Sequence, residues 1–232
     1  MLNPIPDATI KAFARTICQE ADKYGFSKLD MVRLINALLD HSTDNPRASR
    51  ADIVVPENTF EVSQFPLTSQ RIMIRPADQR GDKQLLESWM QDEYGRHFLL
   101  SCATAQPTNI TALLTSANND IGIVMLSTEE PIGVMAFLDV DHIQQRAELR
   151  KLIAVRNERG KGYAEEATRL WIKYGFQQLG LEKIYVSTLQ THIRNIQLNE
   201  AIGFRVEGVL HNEVLIGAHR HDVLRMGMCV PD

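Results

Sequence analysis

The segment Val155-Arg156-Asn157-Glu158-Arg159-Gly160-Lys161-Gly162-Tyr163-Ala164 places two glycines between an apolar, strand-like run and an amphipathic, helix-like one. Glycine lets a backbone approach a ligand closely. The unpaired N–H groups and positive dipole end of a first helical turn attract phosphate oxygens, so a pyrophosphate suits such a turn. Taken alone, the segment is weak evidence, because it also reads as a simple tight turn with Lys161 in solvent. It matches neither G-x-x-x-x-G-K-[ST] nor G-x-G-x-x-G, which argues against a nucleoside triphosphatase or a dinucleotide-dependent dehydrogenase. Two other groups of reactive side chains carry less. His192, His211, His219 and His221 lack the carboxylate or cysteine spacing of a metal centre. Cys18, Cys102 and Cys229 lie far apart and are expected to be buried free thiols.

The elements that must position the glycine turn can be followed along the chain. Ile121 to Leu126, Ile132 to Val140 and Ala147 to Val155 are apolar runs separated by turn-forming Ser127 to Pro131 and by polar Asp141 to Arg146, the pattern of an antiparallel meander. After the turn come a helix from Tyr163 to Leu179 closed by Gly180, a strand from Lys183 to Leu189 and a helix from Ile193 to Ala201 ended by Gly203. The tail is a hairpin about Gly217. Ahead of the meander, Arg71 to Arg75 alternates as a strand, Asp78 to Tyr94 has helical spacing, and Pro107 suits the start of a short helix over Thr108 to Ala117. Trp171 and Tyr174, at helical spacing, belong to the core.

In front of this lies a different region. Ile10, Phe13, Ala14, Ile17 and Ala21 define one helix face, and Gly25 ends that helix. Ser27 with Asp30 approximates a capping box for a second helix with a broad apolar face through Leu29, Val32, Leu34, Ile35, Leu38 and Leu39. Residues 41 to 70 are rich in Ser, Thr, Asn and Pro, with an edge-strand candidate at Ile53 to Val55. The expected division is a helical extension over 1–45, a linker over 46–69 and one larger domain over 70–232.

The string Arg159-Gly160-Lys161-Gly162-Tyr163-Ala164 resembles the Q/R-x-x-G-x-G/A motif of the GNAT acetyltransferases, with Arg159, Gly162 and Ala164 at its three defined positions. The order of elements around it, and the tail Gly203 to Leu210 followed by His221-Asp222-Val223-Leu224, are similar to members that acetylate ribosomal-protein N-termini, spermidine or amino sugars. The resemblance spans residues 70 to 229. It implies an α/β (α+β) fold with a mixed, mainly antiparallel sheet flanked by helices, and acetyl-CoA as cosubstrate with no metal. The pyrophosphate is then expected on the backbone of Arg159, Gly160, Lys161, Gly162, Tyr163 and Ala164. The pantetheine would pair with Leu152, Ile153, Ala154 and Val155. His192 stands where the family usually has an asparagine, a departure for which Asn195 is a substitute donor.

Acetyl transfer to an amine needs a base, oxyanion donors and an acid for the thiolate. Glu148, in Ala147-Glu148-Leu149, is similar to the family's basic glutamate, although strand alternation groups it with Arg146 and Arg150 as an ion pair. The oxyanion donor is expected among the backbone N–H groups of Ile153 to Val155. Asn199, in Leu198-Asn199-Glu200-Ala201-Ile202-Gly203-Phe204, occupies the usual tyrosine position and has no proton to give. Either another group acts, with Tyr163, Tyr174 and Tyr185 unassigned, or water protonates the thiolate.

Composition narrows the partners. A net charge of −4 gives no footprint for nucleic acid, and the five basic and five acidic residues of the 7–41 region cancel there too. No apolar run is long enough for a membrane span, and Met1 to Asp7 lacks a basic stretch followed by an apolar one, so a cytoplasmic protein is expected. The acceptor is expected to be a small primary amine (amino sugar, polyamine or amino-acid derivative). A protein N-terminus and a non-catalytic acetyl-CoA-binding regulator are the alternatives. Packing or a homodimer is the expected use of the extension's apolar face.

Overall fold

The computed structural model describes residues 7–26, 30–31, 34–35, 38, 65–91, 109–189, 193–216 and 218–230. The chain divides into two units, residues 1–52 and 53–232. In the first, α1 runs Asp7–Lys23 and ends at Gly25 in the left-handed conformation, φ +72°. The described residues of the second expected helix, 30–31, 34–35 and 38, are helical. Ile10, Ile17, Tyr24, Phe26, Ile35 and Leu38 are exposed.

Among the described residues the second unit is built on an eight-stranded sheet. Its strands are β1 (Leu67–Thr68), β2 (Ile72–Pro76), β3 (Asp120–Leu126), β4 (Pro131–Asp141), β5 (Arg146–Ile153), β6 (Lys183–Leu189), β7 (Arg205–Ile216) and β8 (His219–Cys229). Their order in the sheet is β1-β2-β3-β4-β5-β6-β8-β7. All neighbours are antiparallel except β5 and β6, which run parallel. The helices are α2 (Lys83–Met90), α3 (Ile110–Thr115), α4 (Tyr163–Gln177) and α5 (Ile193–Ile202). The mixed, mainly antiparallel sheet with flanking helices is the fold that the sequence predicts.

Period-two alternation builds a core on each face of the sheet. Ile74, Met135, Phe137, Ala147, Leu149, Ile184 and Met226 meet Ala167, Trp171 and Tyr174 of α4. On the other face Ile123, Val134, Ala136, Leu138 and Leu152 meet Leu86 of α2 and Ile110 and Leu113 of α3. Trp171 is fully enclosed and stacks on Phe137, with ring centroids 5.5 Å apart. The Trp171 ring reaches the sheet because Gly122 lacks a side chain: a Cβ there would lie 2.7 Å from Trp171 Cζ3.

Local chemistry explains several element ends. Asn109 caps α3 by accepting from the N–H groups of Thr111 and Ala112, so that helix starts later than Pro107. The expected helix over 78–94 begins only at Lys83. Asp78 instead turns the chain by accepting from Arg80 and Gly81, and Asp82 is held by Arg75 at 2.6 Å. Two expectations are corrected. Leu67 and Thr68, assigned to the linker, form an edge strand because Leu67 finds a core site and is buried. Cys18 and Cys229 are exposed, not buried, since the first lies on the solvent side of α1 and the second at the end of β8. Cys102, Ile53 to Val55 and Gly217 lie outside the described residues.

Candidate active site

Strands β5 and β6 pair only from Arg146 opposite Lys183 to Glu148 opposite Tyr185. Beyond that point β6 stays with β8 as far as Leu189. Strand β5 stays with β4 as far as Ile153, so the two parallel strands part as a fork. At the far end Ala154 and Val155 both donate to the Ile132 carbonyl, at 2.8 and 3.2 Å. Alternate residues of an antiparallel strand bond to a given neighbour. Ala154, Leu152 and Arg150 therefore turn their peptide groups to β4, while Leu149, Lys151 and Ile153 turn theirs into the fork. Of the three N–H groups expected to supply an oxyanion donor, two are spent on Ile132 and that of Ile153 faces the opening.

The glycine turn closes the mouth of the fork. A short 3-10 helix (Arg156–Glu158) leads into Gly160 and Gly162, both left-handed at φ +79° and +87°, and Gly162 caps α4. The Gly162 carbonyl accepts from Glu165 and Glu166. Among the described residues, no acceptor is placed on the N–H groups of Tyr163 and Ala164, which are the orphan donors of a first helical turn. The two acids of that turn would repel an anion, but both are paired. Glu166 accepts from Ser69 at 2.6 Å and from Arg71 Nε at 2.7 Å, and Glu165 binds Arg169 at 3.0 Å. Arg71 also donates to the Lys161 carbonyl and lies over the Tyr163 ring, 4.8 Å from its centroid. Lys161 is exposed and bonded to Glu158 at 2.8 Å, which raises its pKa. Arg159 turns inward instead, donating to the carbonyls of Ile153 and Ala154 at 2.8 Å each and pinning the strand end to the turn. A side chain at Gly160 would meet open space. Open backbone, two free N–H donors and nearby cations fit a pyrophosphate, and the free edge of β5 fits the amides of a pantetheine.

Side chains divide the fork between its two faces. On the face shared with α2 and α3, Glu148 and Arg150 are 2% and 5% exposed and form an ion pair at 2.9 Å without hydrogen-bond alignment. Arg150 bridges the arms by donating to the Ser187 carbonyl at 3.3 Å. Tyr185 lies under the Arg225 guanidinium, 4.5 Å from its centroid, and burial together with the Glu148 charge pushes its pKa up. Arg146, expected beside Glu148, turns to Asp141 at 3.8 Å.

On the opposite face Lys151 donates to Asn199 Oδ1. Asn199 is fully buried on α5, and its Nδ2 points at Met226 Sδ, 3.9 Å away. Asn195, expected to serve a ligand, donates to Thr188 Oγ1 at 3.1 Å and so ties α5 to β6. His192 lies outside the described residues. Of the unassigned tyrosines, Tyr174 donates to Asp120 at 2.9 Å at the start of β3, with burial first and then Asp120 pushing its pKa up. Tyr163 lies under Arg71 and Tyr185 beside Glu148. Among the described residues the Asn199 side chain bonds to Lys151 and Met226 and to none of these tyrosines. His211 pairs with Asp222 at 3.2 Å on the β7–β8 hairpin.

Lys151 is the residue that sequence reasoning missed. The signal was present: Arg150-Lys151 puts one cation on each face of a strand whose neighbours bury both faces.

Residues 71–205 match the family described as the acetyltransferase (GNAT) domain. The chain belongs to the GNAT acetyltransferases. This GNAT domain is 32% identical over 97 residues to the spermidine N(1)-acetyltransferase of Escherichia coli (strain K12), a match covering 42% of this chain and 52% of that protein. The chain thus spans about half the length of that relative. An uncharacterized N-acetyltransferase of Bacillus licheniformis, p20, is 26% identical over 153 residues, 63% of this chain and 85% of that protein. Among solved structures, a chimera of the Vibrio cholerae spermidine N-acetyltransferase SpeG and hSSAT superposes with a TM-score of 0.61, covering 69% of this chain and 96% of the other at 21% identity. That likeness is one of fold. Among the described residues no helix is long and apolar enough to cross a membrane.

Proposed function

We propose that residues 70–232 form an acetyl-CoA-dependent N-acetyltransferase acting on the primary amine of a small molecule, with polyamines first among the acceptors. The observation that carries this reading is the fork between β5 and β6 with the glycine turn at its mouth. A thioester donor fed along the free edge of β5 would place its acyl group in the fork at the Ile153 N–H, with Glu148 further in where the strands part. Membership of the family and the polyamine activity named for the E. coli relative support the choice of donor and acceptor.

In this account Gly160, Gly162, Tyr163 and Ala164 hold the pyrophosphate by their backbone, with Arg159 and Lys161 flanking it. Leu152, Ile153, Ala154 and Val155 form the strand end that guides the pantetheine, and the Ile153 N–H is the oxyanion donor. Glu148 accepts the proton that the amine sheds. Asn195 and His192 border the opposite wall.

The turn can be tested directly. Gly162→Val forces a branched side chain into the left-handed region, a strain of about 1–3 kcal/mol, and displaces the N–H groups that follow it. Acetyl-CoA affinity measured by calorimetry should fall at least about tenfold, equivalent to ~1.4 kcal/mol, in a variant that still unfolds cooperatively. Unchanged affinity would remove the turn from the binding site.

The function is tested by following thiol release from acetyl-CoA with spermidine, an amino sugar, an amino acid and a peptide with a free N-terminus. Amine-dependent release, greatest with spermidine and accompanied by a monoacetylated product, is expected. Release with the peptide alone would replace the acceptor class, and tight acetyl-CoA binding without release for any amine would replace catalysis by sensing.

A further inference from the structure

Strand β5 carries a lysine where a central strand has least room for one. Lys151 lies opposite Met135 in the β4–β5 register. It shares its face with Ala147 and Leu149, which belong to the core against α4. Lys151 is half-buried, and its amino end donates to Asn199 Oδ1. Asn199 is 0% exposed, and with Nδ2 directed at Met226 Sδ its oxygen is the atom left for the lysine. The pair spans the gap between the free arm of β5 and helix α5, on the face of the fork opposite Glu148.

The charges around it are few. From α5 come Arg194 and Glu200, both exposed; from α4 come Glu165 and Arg169, which pair with each other. On this face β6 and β8 present Val186, Thr188, Leu224 and Met226, none of them charged. Among the described residues no carboxylate neutralises Lys151, and burial pushes its pKa down to about 7. A group titrating there both gives and regains a proton at neutral pH, as an acid–base catalyst must.

On the acetyl-transfer reading above, we propose that Lys151, seated on Asn199 Oδ1, is the proton donor to the leaving thiolate. The lysine and the asparagine together fill the place of the missing tyrosine. The amine nitrogen bonds to the acyl carbon and loses a proton to Glu148. The carbon–sulfur bond breaks with its electron pair going to sulfur, and sulfur takes a proton from Lys151 Nζ. Lys151 recovers a proton from solvent before the next turnover. Asn199 is a positioning residue, holding the ammonium by its oxygen.

Two measurements test this. In the unliganded wild-type protein, a side-chain NMR titration of the lysines, assigned with Lys151→Met, should show one lysine titrating near 7, against about 10.4 for a free one. With the best amine, Lys151→Met should lower kcat by ~10²–10⁴-fold while the calorimetric Kd for CoA changes by less than about threefold. The fall of kcat as pH rises through 7 should vanish in that variant, and Lys151→Arg, charged but unable to release a proton, should not restore the rate. A Lys151 that titrates in the ordinary lysine range overturns the role. So does a Lys151→Met variant with wild-type kcat and pH profile. Wild-type protein that fails to bind acetyl-CoA overturns the transfer reading itself, and the role with it, so the two failures are distinguishable.

Discussion

Glu148→Gln should destabilise the second unit by ~3–5 kcal/mol, because it strands the Arg150 guanidinium in the interior without its counter-ion. Arg150 is 5% exposed and its ion pair with Glu148 spans 2.9 Å, so water cannot replace the lost charge. The hydrogen bond from Arg150 to Ser187 remains but carries no charge to balance the cation. Chemical denaturation monitored by circular dichroism reads the loss directly. The same substitution should lower kcat by ~10²–10⁴-fold at a temperature where the variant is still folded, since glutamine cannot accept the proton of the attacking amine. The two losses separate the roles. A variant that is destabilised but turns over like wild type would assign Glu148 to structure alone, as the counter-ion of the arginine that ties β5 to β6 through Ser187.

The second large effect runs the other way. Lys151→Met should stabilise the protein, and the gain should depend on pH. In the folded chain the lysine's pKa is lowered from 10.5 to about 7. Between those values the unfolded chain binds more protons than the folded one, so wild-type stability rises with pH across that window and is flat below it. The penalty of enclosing the ammonium is therefore fully present at and below neutral pH and disappears as pH approaches 10.5. Methionine fills a similar volume without the charge. Its advantage should be on the order of 2–4 kcal/mol below neutral pH, shrinking by up to ~1.4 kcal/mol per pH unit above it. Because the variant also leaves Asn199 Oδ1 without its donor, the pH dependence is the decisive reading: a stability difference that does not change with pH would show that Lys151 is not enclosed as a charge. Stability lost in the wild type and activity lost in the variant would be the exchange expected of a functional residue.

Much of this architecture was legible in the sequence because period and punctuation agreed. The meander from Ile121 to Val155 is built of continuous apolar runs, as strands buried on both faces must be, and Gly162 and Gly180 stand at the two ends of one helix. The motif Arg159 to Ala164 located the turn. Other features are properties of pairing between distant residues and leave no local mark. Nothing near Glu148 announces that β6 departs there. The direction of the Arg159 guanidinium, back to Ile153 and Ala154, depends on where the strand end lies in space. Leu67 looked like linker because two residues are too few for periodicity to register. Cys18 and Cys229 misled through composition, since cysteine is usually buried, whereas one lies on an exposed face of α1 and the other at the end of β8. Lys151 was overlooked because a lysine beside an arginine suggests a solvated pair. Alternation on a central strand sends the two to opposite interiors, and the site is built on that difference.

The central claim, that acetyl-CoA lies in the β5–β6 fork, is tested most directly by amide hydrogen exchange along β5, read residue by residue with and without the ligand. The account predicts new protection at Lys151 and Ile153, whose N–H groups face the fork, and at Tyr163 and Ala164 in the first turn of α4. Arg150 and Leu152, already bonded to β4, should change little. Protection confined to other strands, or equal protection of all β5 amides, would contradict it.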